Sequence, residues 1–161
     1  MRLVLLLVLT SCSFMFGIKT PEGAKNSGYK VKFQKDHWIE KKQDKDESSD
    51  YVFENEKDGR ILLSNSFCKE FQDQPLDVLA KNTFNTVDDL KIKKKDFRTF
   101  HDREAYQLEG TGKVDGVPVG LMLLNTRRNN CYFDFVSITP LSSAKENEGE
   151  FEDFLNSVEF K

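Results

Sequence analysis

Residues 104–138 read EAYQLEGTGKVDGVPVGLMLLNTRRNNCYFDFVSI, and this stretch decides the centre of the fold. It holds three strand candidates, residues 104–114, 117–126 and 131–138, separated by Asp115-Gly116 and Asn129-Asn130. Such residue pairs favour two-residue hairpin turns, because asparagine, aspartate and glycine tolerate the positive φ that these turns require. The stretch therefore predicts an antiparallel meander of three long strands.

The middle strand of this meander is apolar on both of its faces. Successive side chains of a strand point to opposite sides. One face carries Val117, Val119, Leu121 and Leu123, and the other carries Met122 and Leu124. Apolar residues on both faces are typical of a sheet that is covered on both sides. We therefore expect a helix or other chain segment over each face.

Further strands are predicted before the meander. Residues 90–100 form a fourth long candidate directly upstream. Residues 29–33, YKVKF, alternate apolar and polar side chains with the period of a half-buried strand. Two short apolar runs, residues 51–53 and 60–63, flank Asp58-Gly59, which is a strong hairpin signal.

Two helices are predicted from apolar residues at helical spacing. The first follows Pro75, which suits a first helical turn, and Asp77 complements its dipole. Its expected buried face carries Leu76, Leu79, Ala80, Thr83 and Val87. The second helix covers residues 150–158, with a core-facing stripe of Phe151, Phe154, Leu155 and Val158.

The order of these elements resembles the PsbP/Mog1-like fold. The likeness lies in residues 29–33 leading to Trp38, in residues 114–119, VDGVPV, and in residues 154–160, FLNSVEF. It covers about residues 28–161 and implies an α+β fold, an antiparallel sheet of about six to seven strands with helices packed on its faces as an α/β/α sandwich. Proteins of this family include small bacterial envelope lipoproteins, accessory subunits of membrane complexes and binding proteins. The resemblance therefore implies no catalytic residues.

The first twelve residues, MRLVLLLVLTSC, have the pattern of an export signal. Their seven apolar residues rise only about 10 Å as a helix, whereas a membrane span needs roughly 20 residues. The segment resembles a bacterial lipobox, in which Cys12 is acylated, for example by palmitate, and becomes the first residue of the mature protein. The alternative is a buried N-terminal strand or helix with a core cysteine.

This signal divides the chain into three parts: a signal peptide at residues 1–11, a lipid-anchored tether at residues 12–27 and a globular domain at residues 28–161. Two or more acyl chains hold a protein stably on a membrane, so we expect an anchor and not a span. Ser13 stands where inner-membrane lipoproteins of enteric bacteria commonly carry aspartate. We therefore expect a lipoprotein of the outer membrane that faces the periplasm, with its domain within about 50 Å of the bilayer.

Cys68 and Cys131 remain once Cys12 is acylated. In an oxidising compartment two remaining cysteines are expected to pair. The alternative is two free buried thiols. A metal site is not expected, because no histidine pair accompanies the two cysteines, and a catalytic disulfide would show a Cys-x-x-Cys spacing.

Composition and motifs exclude several classes of function. The net charge of −3 lacks the basic excess of nucleic-acid-binding proteins. His37 and His101 lie 64 positions apart, and strand alternation would turn each away from its neighbouring aspartate, Asp36 or Asp102. Nucleophile elbows, phosphate-binding loops and zinc motifs are absent from the sequence. We expect no enzyme activity, no cofactor and no metal.

The chain has one clear basic cluster, within the strand candidate at residues 90–100. It consists of Lys91, Lys93, Lys94, Lys95 and Arg98. In a regular strand, Lys91, Lys93 and Lys95 share one face. One interpretation is a solvated edge that resists aggregation. The other is a docking patch for an acidic partner or for lipid headgroups, which Arg127 and Arg128 would join if the fold brings them close.

These observations predict a non-enzymatic protein that is held on the membrane through Cys12. Its domain is expected to bind another envelope component, as an accessory subunit of an envelope complex. The alternative is a carrier or sensor of a small hydrophobic or charged ligand held between the sheet and a helix.

Overall fold

The computed structural model describes residues 28–42, 49–68 and 73–161. The predicted signal peptide and tether, including Cys12 and Ser13, lie outside these residues. The described elements are β1 (Tyr29–Val31), β2 (Trp38–Glu40), β3 (Tyr51–Asn55), β4 (Ile61–Cys68), α1 (Leu76–Thr83), β5 (Asp88–Phe100), β6 (Arg103–Val114), β7 (Val117–Arg128), β8 (Cys131–Pro140), a 3₁₀ helix (Leu141–Glu146), α2 (Asn147–Asn156) and β9 (Val158–Phe160).

The main sheet has seven strands in the order β2-β3-β4-β8-β7-β6-β5, and all neighbouring strands are antiparallel. A second, two-stranded sheet pairs β1 with β9. The strand count and the α+β class expected from the sequence are therefore confirmed. The predicted meander forms β6, β7 and β8 at the centre and one side of the main sheet.

Both faces of the central strands are buried, as the two-sided apolar pattern predicts. Leu121 and Leu123 of β7 belong to a core layer that also contains residues of α1. Met122 and Leu124 belong to a second core layer that contains residues of α2, β1 and β9. The sheet therefore separates two apolar layers, each closed by its own helix.

The helix α1 covers one face and begins directly after Pro75, as expected. Leu76, Leu79 and Ala80 are buried on its inner side. The helix ends at Thr83, so the buried Val87 follows it in the connection to β5. Gly112 of β6 lies against this connection, because a Cβ there would come within 2.3 Å of Val87 Cγ1.

The helix α2 covers the other face with Phe151, Phe154 and Leu155, all fully buried. The prediction that this helix extends to Val158 is wrong. The helix ends at Asn156, and Val158 begins β9, where it pairs with Val31 of β1. Val158 is buried as expected, but it belongs to a strand, because β1 supplies its backbone hydrogen-bond partners. Among the described residues, no helix is both long and apolar enough to cross a membrane.

The hairpin turns follow the sequence, with one addition. Asp115-Gly116 and Asn129-Asn130 have positive φ at both residues and join β6 to β7 and β7 to β8. His101-Asp102 forms the same kind of turn between β5 and β6, with φ of 46° and 62°. The expectation that each histidine lies on a strand with its neighbouring aspartate is therefore wrong, since Asp36-His37 is also a turn.

Arg60 is a buried charge that ties the β3–β4 hairpin to α2. Its side chain is 4% exposed, and its Nε lies 2.9 Å from an oxygen of Asp58. Its guanidinium also forms an ion pair with Glu150 of α2 and lies 5.6 Å from the centre of the Trp38 ring. Lys35 Nζ also lies 3.8 Å from Glu150 Oε1, but it is more exposed than Arg60. Because the Arg60 ion pairs are largely shielded from water, removing Arg60 leaves Asp58 and Glu150 without their buried counter-charge.

We predict that Arg60→Met lowers the free energy of unfolding by about 3 kcal/mol, as expected for the loss of one partner from a buried ion pair. Urea denaturation followed by circular dichroism measures the change. The matched control is Lys32→Met, which removes an exposed ion pair with Glu159 and should cost at most about 1 kcal/mol. Equal losses in the two variants would contradict this role of Arg60.

Candidate functional site

Arginine side chains collect at one end of the main sheet. The β5–β6 and β7–β8 turns lie at the same end, because consecutive hairpins of a meander turn back at alternate ends. Arg103 follows the first of these turns, and Arg127 and Arg128 precede the second. Together with residues 129–132 they line a pocket of about 250 Å³. We call it the arginine pocket.

Two of these arginines face each other across neighbouring strands. Ala105 of β6 pairs with Thr126 of β7, and continuing this antiparallel register by two residues places Arg103 opposite Arg128. Directly opposed side chains of an antiparallel pair lie on the same face, and like charges in this position repel. The face is the α2 side, since Ala105 belongs to that core layer.

No carboxylate of the described residues neutralises this pair. In the part of the chain that the structure describes, neither Arg103 nor Arg128 forms an ion pair. The Arg128 guanidinium lies 5.2 Å from the centre of the Phe160 ring, and its Nε is buried with no hydrogen-bond partner among the described residues. Arg128 is held in place by this packing, whereas Arg103 is exposed. Two guanidinium groups that line one pocket offer the planar donors that bind phosphate or carboxylate oxygens.

A disulfide bond lies at this end of the sheet. Cys68 at the end of β4 is bonded to Cys131 at the start of β8, and the two residues are direct cross-strand neighbours. Their Cα atoms are 4.0 Å apart. The pairing expected from the cysteine count is therefore present, and the alternative of two free thiols is not. Cys131 also lines the arginine pocket.

We predict that Cys68→Ser/Cys131→Ser lowers the free energy of unfolding by about 4 kcal/mol, because the bond closes a loop across 63 positions of the unfolded chain. Reductant should destabilise the wild-type protein similarly and leave the variant unchanged. Peptide mapping without reductant should recover the two cysteines in one cross-linked species. Alkylation of both thiols without reductant would contradict the assignment.

A row of buried polar groups crosses the sheet beneath α1. Asp134 of β8 pairs with Asn65 of β4 on one side and with Asn125 of β7 on the other. Thr83 of α1 donates a hydrogen bond to Asp134 Oδ2 at 2.9 Å, and Asn125 Nδ2 donates to the Tyr132 hydroxyl at 2.8 Å. Sequence reasoning missed this row, although a single carboxylate within the apolar residues 132–138 was a signal for it.

Asp134 supplies the carboxyl group of this row, and its pKa is strongly raised. It is 3% exposed, and burial raises its pKa from 3.8 to about 7, with hydrogen bonds from Tyr132 and Thr83 opposing the shift only in part. Three oxygens, Oδ1 of Asn65, Asn125 and Asp134, have no hydrogen-bond partner among the described residues. A proton on Asp134 supplies this row with a donor, which accords with the raised pKa.

We predict that the protein is more stable at pH 4 than at pH 8. An acid whose pKa is raised by folding contributes stability below its unfolded pKa, and this contribution is lost as pH rises through the folded pKa. A shift from 3.8 to about 7 corresponds to roughly 4 kcal/mol, lost between about pH 4 and pH 7. Urea denaturation at intervals of one pH unit measures the loss.

The variant Asp134→Asn tests the source of this pH dependence. It keeps the shape of the side chain without its charge, so it should remove most of the loss and be more stable than wild type at pH 8. The matched control, Asp96→Asn, changes an exposed residue of β5 and should keep the wild-type pH profile. An unchanged profile in Asp134→Asn would rule out Asp134 as its cause.

The predicted basic cluster lies on β5, which is an edge strand of the main sheet. The four lysines Lys91, Lys93, Lys94 and Lys95 are exposed. The expectation that Lys91, Lys93 and Lys95 share a face is wrong, because the strand has an irregular register between Ile92 and Lys94. Lys91 pairs with Thr111 on the α2 side, whereas Lys95 pairs with the buried Leu108 on the α1 side.

Two cations of the cluster are paired with carboxylates. Lys94 Nζ lies 3.4 Å from Glu109 Oε1, and Arg98 is paired with α2. Its Nη1 and Nη2 donate hydrogen bonds to the two carboxylate oxygens of Glu152 in α2, at 2.6 and 3.1 Å. The hydrogen bonds with Glu152 raise the pKa of Arg98 above its ordinary, already high value.

Arg127 and Arg128 do not join the cluster. Lys95 lies opposite Leu108 of β6. Leu108 is five residues from Arg103, so about 17 Å of strand separates Lys95 from the end of the sheet that carries Arg127 and Arg128.

The remaining sequence candidates show no convergence. His37 and His101 are exposed in separate turns, and the His101 ring packs against Phe100 and Phe160. Within residues 28–42, 49–68 and 73–161, no three metal-ligating side chains come together. Three tyrosines that amphipathic character alone would allow in a binding pocket, Tyr29, Tyr106 and Tyr132, are core residues, although Tyr132 also lines the arginine pocket.

Comparison with known proteins shows the fold. No protein-family model matches the sequence, and no curated protein matches it. LpqN of Mycobacterium tuberculosis, a protein involved in cell envelope biogenesis, superposes with a TM-score of 0.64 at 8% identity over 85% of this chain and 86% of LpqN. Cyanobacterial PsbP (CyanoP) from Synechocystis sp. PCC 6803 superposes with a TM-score of 0.56 at 12% identity, over 89% of this chain and 99% of CyanoP.

A protein of unknown function from Pseudomonas aeruginosa, PA94, described as a putative regulator, superposes with a TM-score of 0.50 at 12% identity over 83% of each chain. The domain therefore has a PsbP-like fold, in agreement with the resemblance seen in the sequence. At these identities the likeness concerns the fold alone.

Proposed function

We propose that this chain is a non-enzymatic lipoprotein, anchored through Cys12 in the outer membrane and facing the periplasm. Its domain binds an acidic protein of the envelope through the exposed edge strand β5. The role is that of an accessory subunit and requires no cofactor. One protein of the same fold, LpqN, is involved in cell envelope biogenesis, which supports an envelope role.

The observation that carries the proposal is the surface of β5. This strand has thirteen residues and, among the described strands, a single neighbour, β6. Beside its exposed lysines it carries Ile92 and Phe97, which are 41% and 53% exposed. Exposed aromatic side chains are enriched in protein-binding surfaces, and surrounding cations steer an acidic partner towards them.

The chemistry of this edge favours a partner that docks with its side chains. Register shifts near Lys91 and Lys94 interrupt the regular ladder of β5, and edge lysines disfavour the addition of another strand. An acidic surface with an apolar centre would neutralise the lysines and cover Phe97. Phe97 is already held in place by an edge-on contact with the Tyr106 ring, at 4.9 Å between ring centres.

The alternative function, a carrier with a ligand between sheet and helix, finds less support. Fully or nearly fully buried side chains fill both layers, with Leu79 and Ala80 of α1 on one side and Phe151 and Phe154 of α2 on the other. A ligand in either layer would have to displace them. Native mass spectrometry of the purified protein tests this function through a co-purifying ligand.

We predict that a photo-crosslinking amino acid at position 97 captures one reproducible envelope protein in intact cells. The matched control is position 117, because Val117 is similarly exposed at 49% but lies at the β6–β7 turn. Lys93→Glu/Lys95→Glu should reduce the cross-link at position 97 by roughly tenfold, since it replaces attraction by repulsion. Identical products from both positions, or no effect of the charge reversal, would contradict the proposal.

The anchor is tested separately. Cells fed a fatty-acid analogue should label the wild-type protein, and Cys12→Ala should abolish the labelling. Ser13→Asp should keep the label and move the protein from the outer to the inner membrane fraction. Persistent labelling of Cys12→Ala would refute the lipobox, and an unchanged distribution of Ser13→Asp would refute the proposed sorting.

A further inference from the structure

We propose that the arginine pocket binds the phosphate group of an anionic lipid headgroup and thereby orients the domain on the membrane. The pocket lies at the sheet end defined by the β5–β6 and β7–β8 turns. The site is distinct from the lysine edge of β5, which remains available to a protein partner.

The charges of the pocket favour an anion. Arg103 and Arg128 line the same pocket, and the β6–β7 register, continued two residues beyond Ala105 and Thr126, places them opposite each other. Neither pairs with a carboxylate among the described residues. Such a like-charge pair costs free energy in the unliganded protein. A phosphate group between the two side chains removes the repulsion and accepts hydrogen bonds from both guanidinium groups.

Part of the pocket is already held in place. The Arg128 guanidinium packs against the Phe160 ring, and the Arg128 Nε is buried without a hydrogen-bond partner in the described part of the chain. Cys131, which the disulfide bonds to Cys68, and the buried Tyr132 also line the pocket. A ligand therefore meets a donor group that has lost much of its rotational freedom before binding.

The described chain begins close to the pocket. Lys161 N donates a hydrogen bond to Gly28 O at 2.7 Å, and Tyr29 pairs with Phe160. Phe160 in turn contacts Arg128 and His101 at the arginine end of the sheet. Gly28, the first described residue, therefore lies near the pocket at this end of the sheet.

This placement favours a membrane lipid as the source of the phosphate. The inference rests here on the proposed anchor at Cys12, because a tether of sixteen residues keeps the arginine end near the bilayer. Anionic headgroups attract each nearby arginine with about 1 kcal/mol. Lys93 and Lys95 lie farther along the sheet than a Debye length of about 10 Å at 0.1 M salt.

The test uses the full chain with Cys12→Ala, so that binding does not depend on acylation. Sedimentation with vesicles compares phosphatidylcholine alone with phosphatidylcholine containing phosphatidylglycerol, at 0.1 M salt. Residues 3–9 are present in every variant and contribute to both vesicle types, so the difference between the vesicles reports the headgroup. We expect the anionic vesicles to bind more protein.

Arg103→Gln/Arg128→Gln should reduce this difference by about tenfold or more. The matched control, Lys93→Gln/Lys95→Gln, removes the same charge from the exposed edge and should keep it within about twofold. Arg128→Lys keeps the charge but loses the planar donor pair, and it should show an intermediate loss. Circular dichroism and urea denaturation of each variant show whether it is folded.

Three results would overturn the proposal: no preference for anionic vesicles, an equal loss in the lysine control, or stabilisation by inorganic phosphate without a vesicle preference. The last result would identify a site for free phosphate. The outcome is independent of acylation, since a failure of fatty-acid labelling at Cys12 would contradict the proposed function and leave this measurement unaffected.

Discussion

Burial of the central strands on both faces is the constraint on which the rest of this structure depends. Residues 119–126 of β7 and 132–139 of β8 are buried throughout, so neither face tolerates water. One face is closed by α1, and the other is closed by α2 together with the small β1–β9 sheet. The two helices are short because each covers only the centre of the sheet, and the outer strands β2 and β5 are left at its edges.

This arrangement brings polar groups into the interior at a cost. Asp134 lies in the layer beneath α1 with its pKa raised by burial, and Arg60 is buried beside α2 with Asp58 and Glu150 as counter-charges. The two solutions differ. Asp134 contacts hydroxyl and amide groups, and burial raises its pKa so that it binds a proton more readily. Arg60 retains its charge because two carboxylates form ion pairs with it.

The surface divides into regions with different chemistry. The arginine end combines two opposed guanidinium groups, the disulfide and the point where the chain enters and leaves the domain. The β5 edge combines exposed lysines with Phe97 and lies along the side of the sheet. An end that faces the membrane would leave this edge directed sideways, and both proposed contacts are then geometrically compatible.

The sequence by itself determined the elements whose cause is local. Turn pairs such as Asn129-Asn130, the two-sided apolar pattern of residues 117–124 and the helical stripe at Phe151 and Phe154 all act within a few residues. Only the tertiary structure decided the features that join distant segments. The register shift near Lys94 places on different faces lysines that a regular strand would align. Pairing with β1 makes Val158 a strand residue and not a helix residue. Two hairpins bring Arg103 and Arg128 to the same end of neighbouring strands. These features depend on strand register, which is set by packing across the whole sheet and not by any one segment.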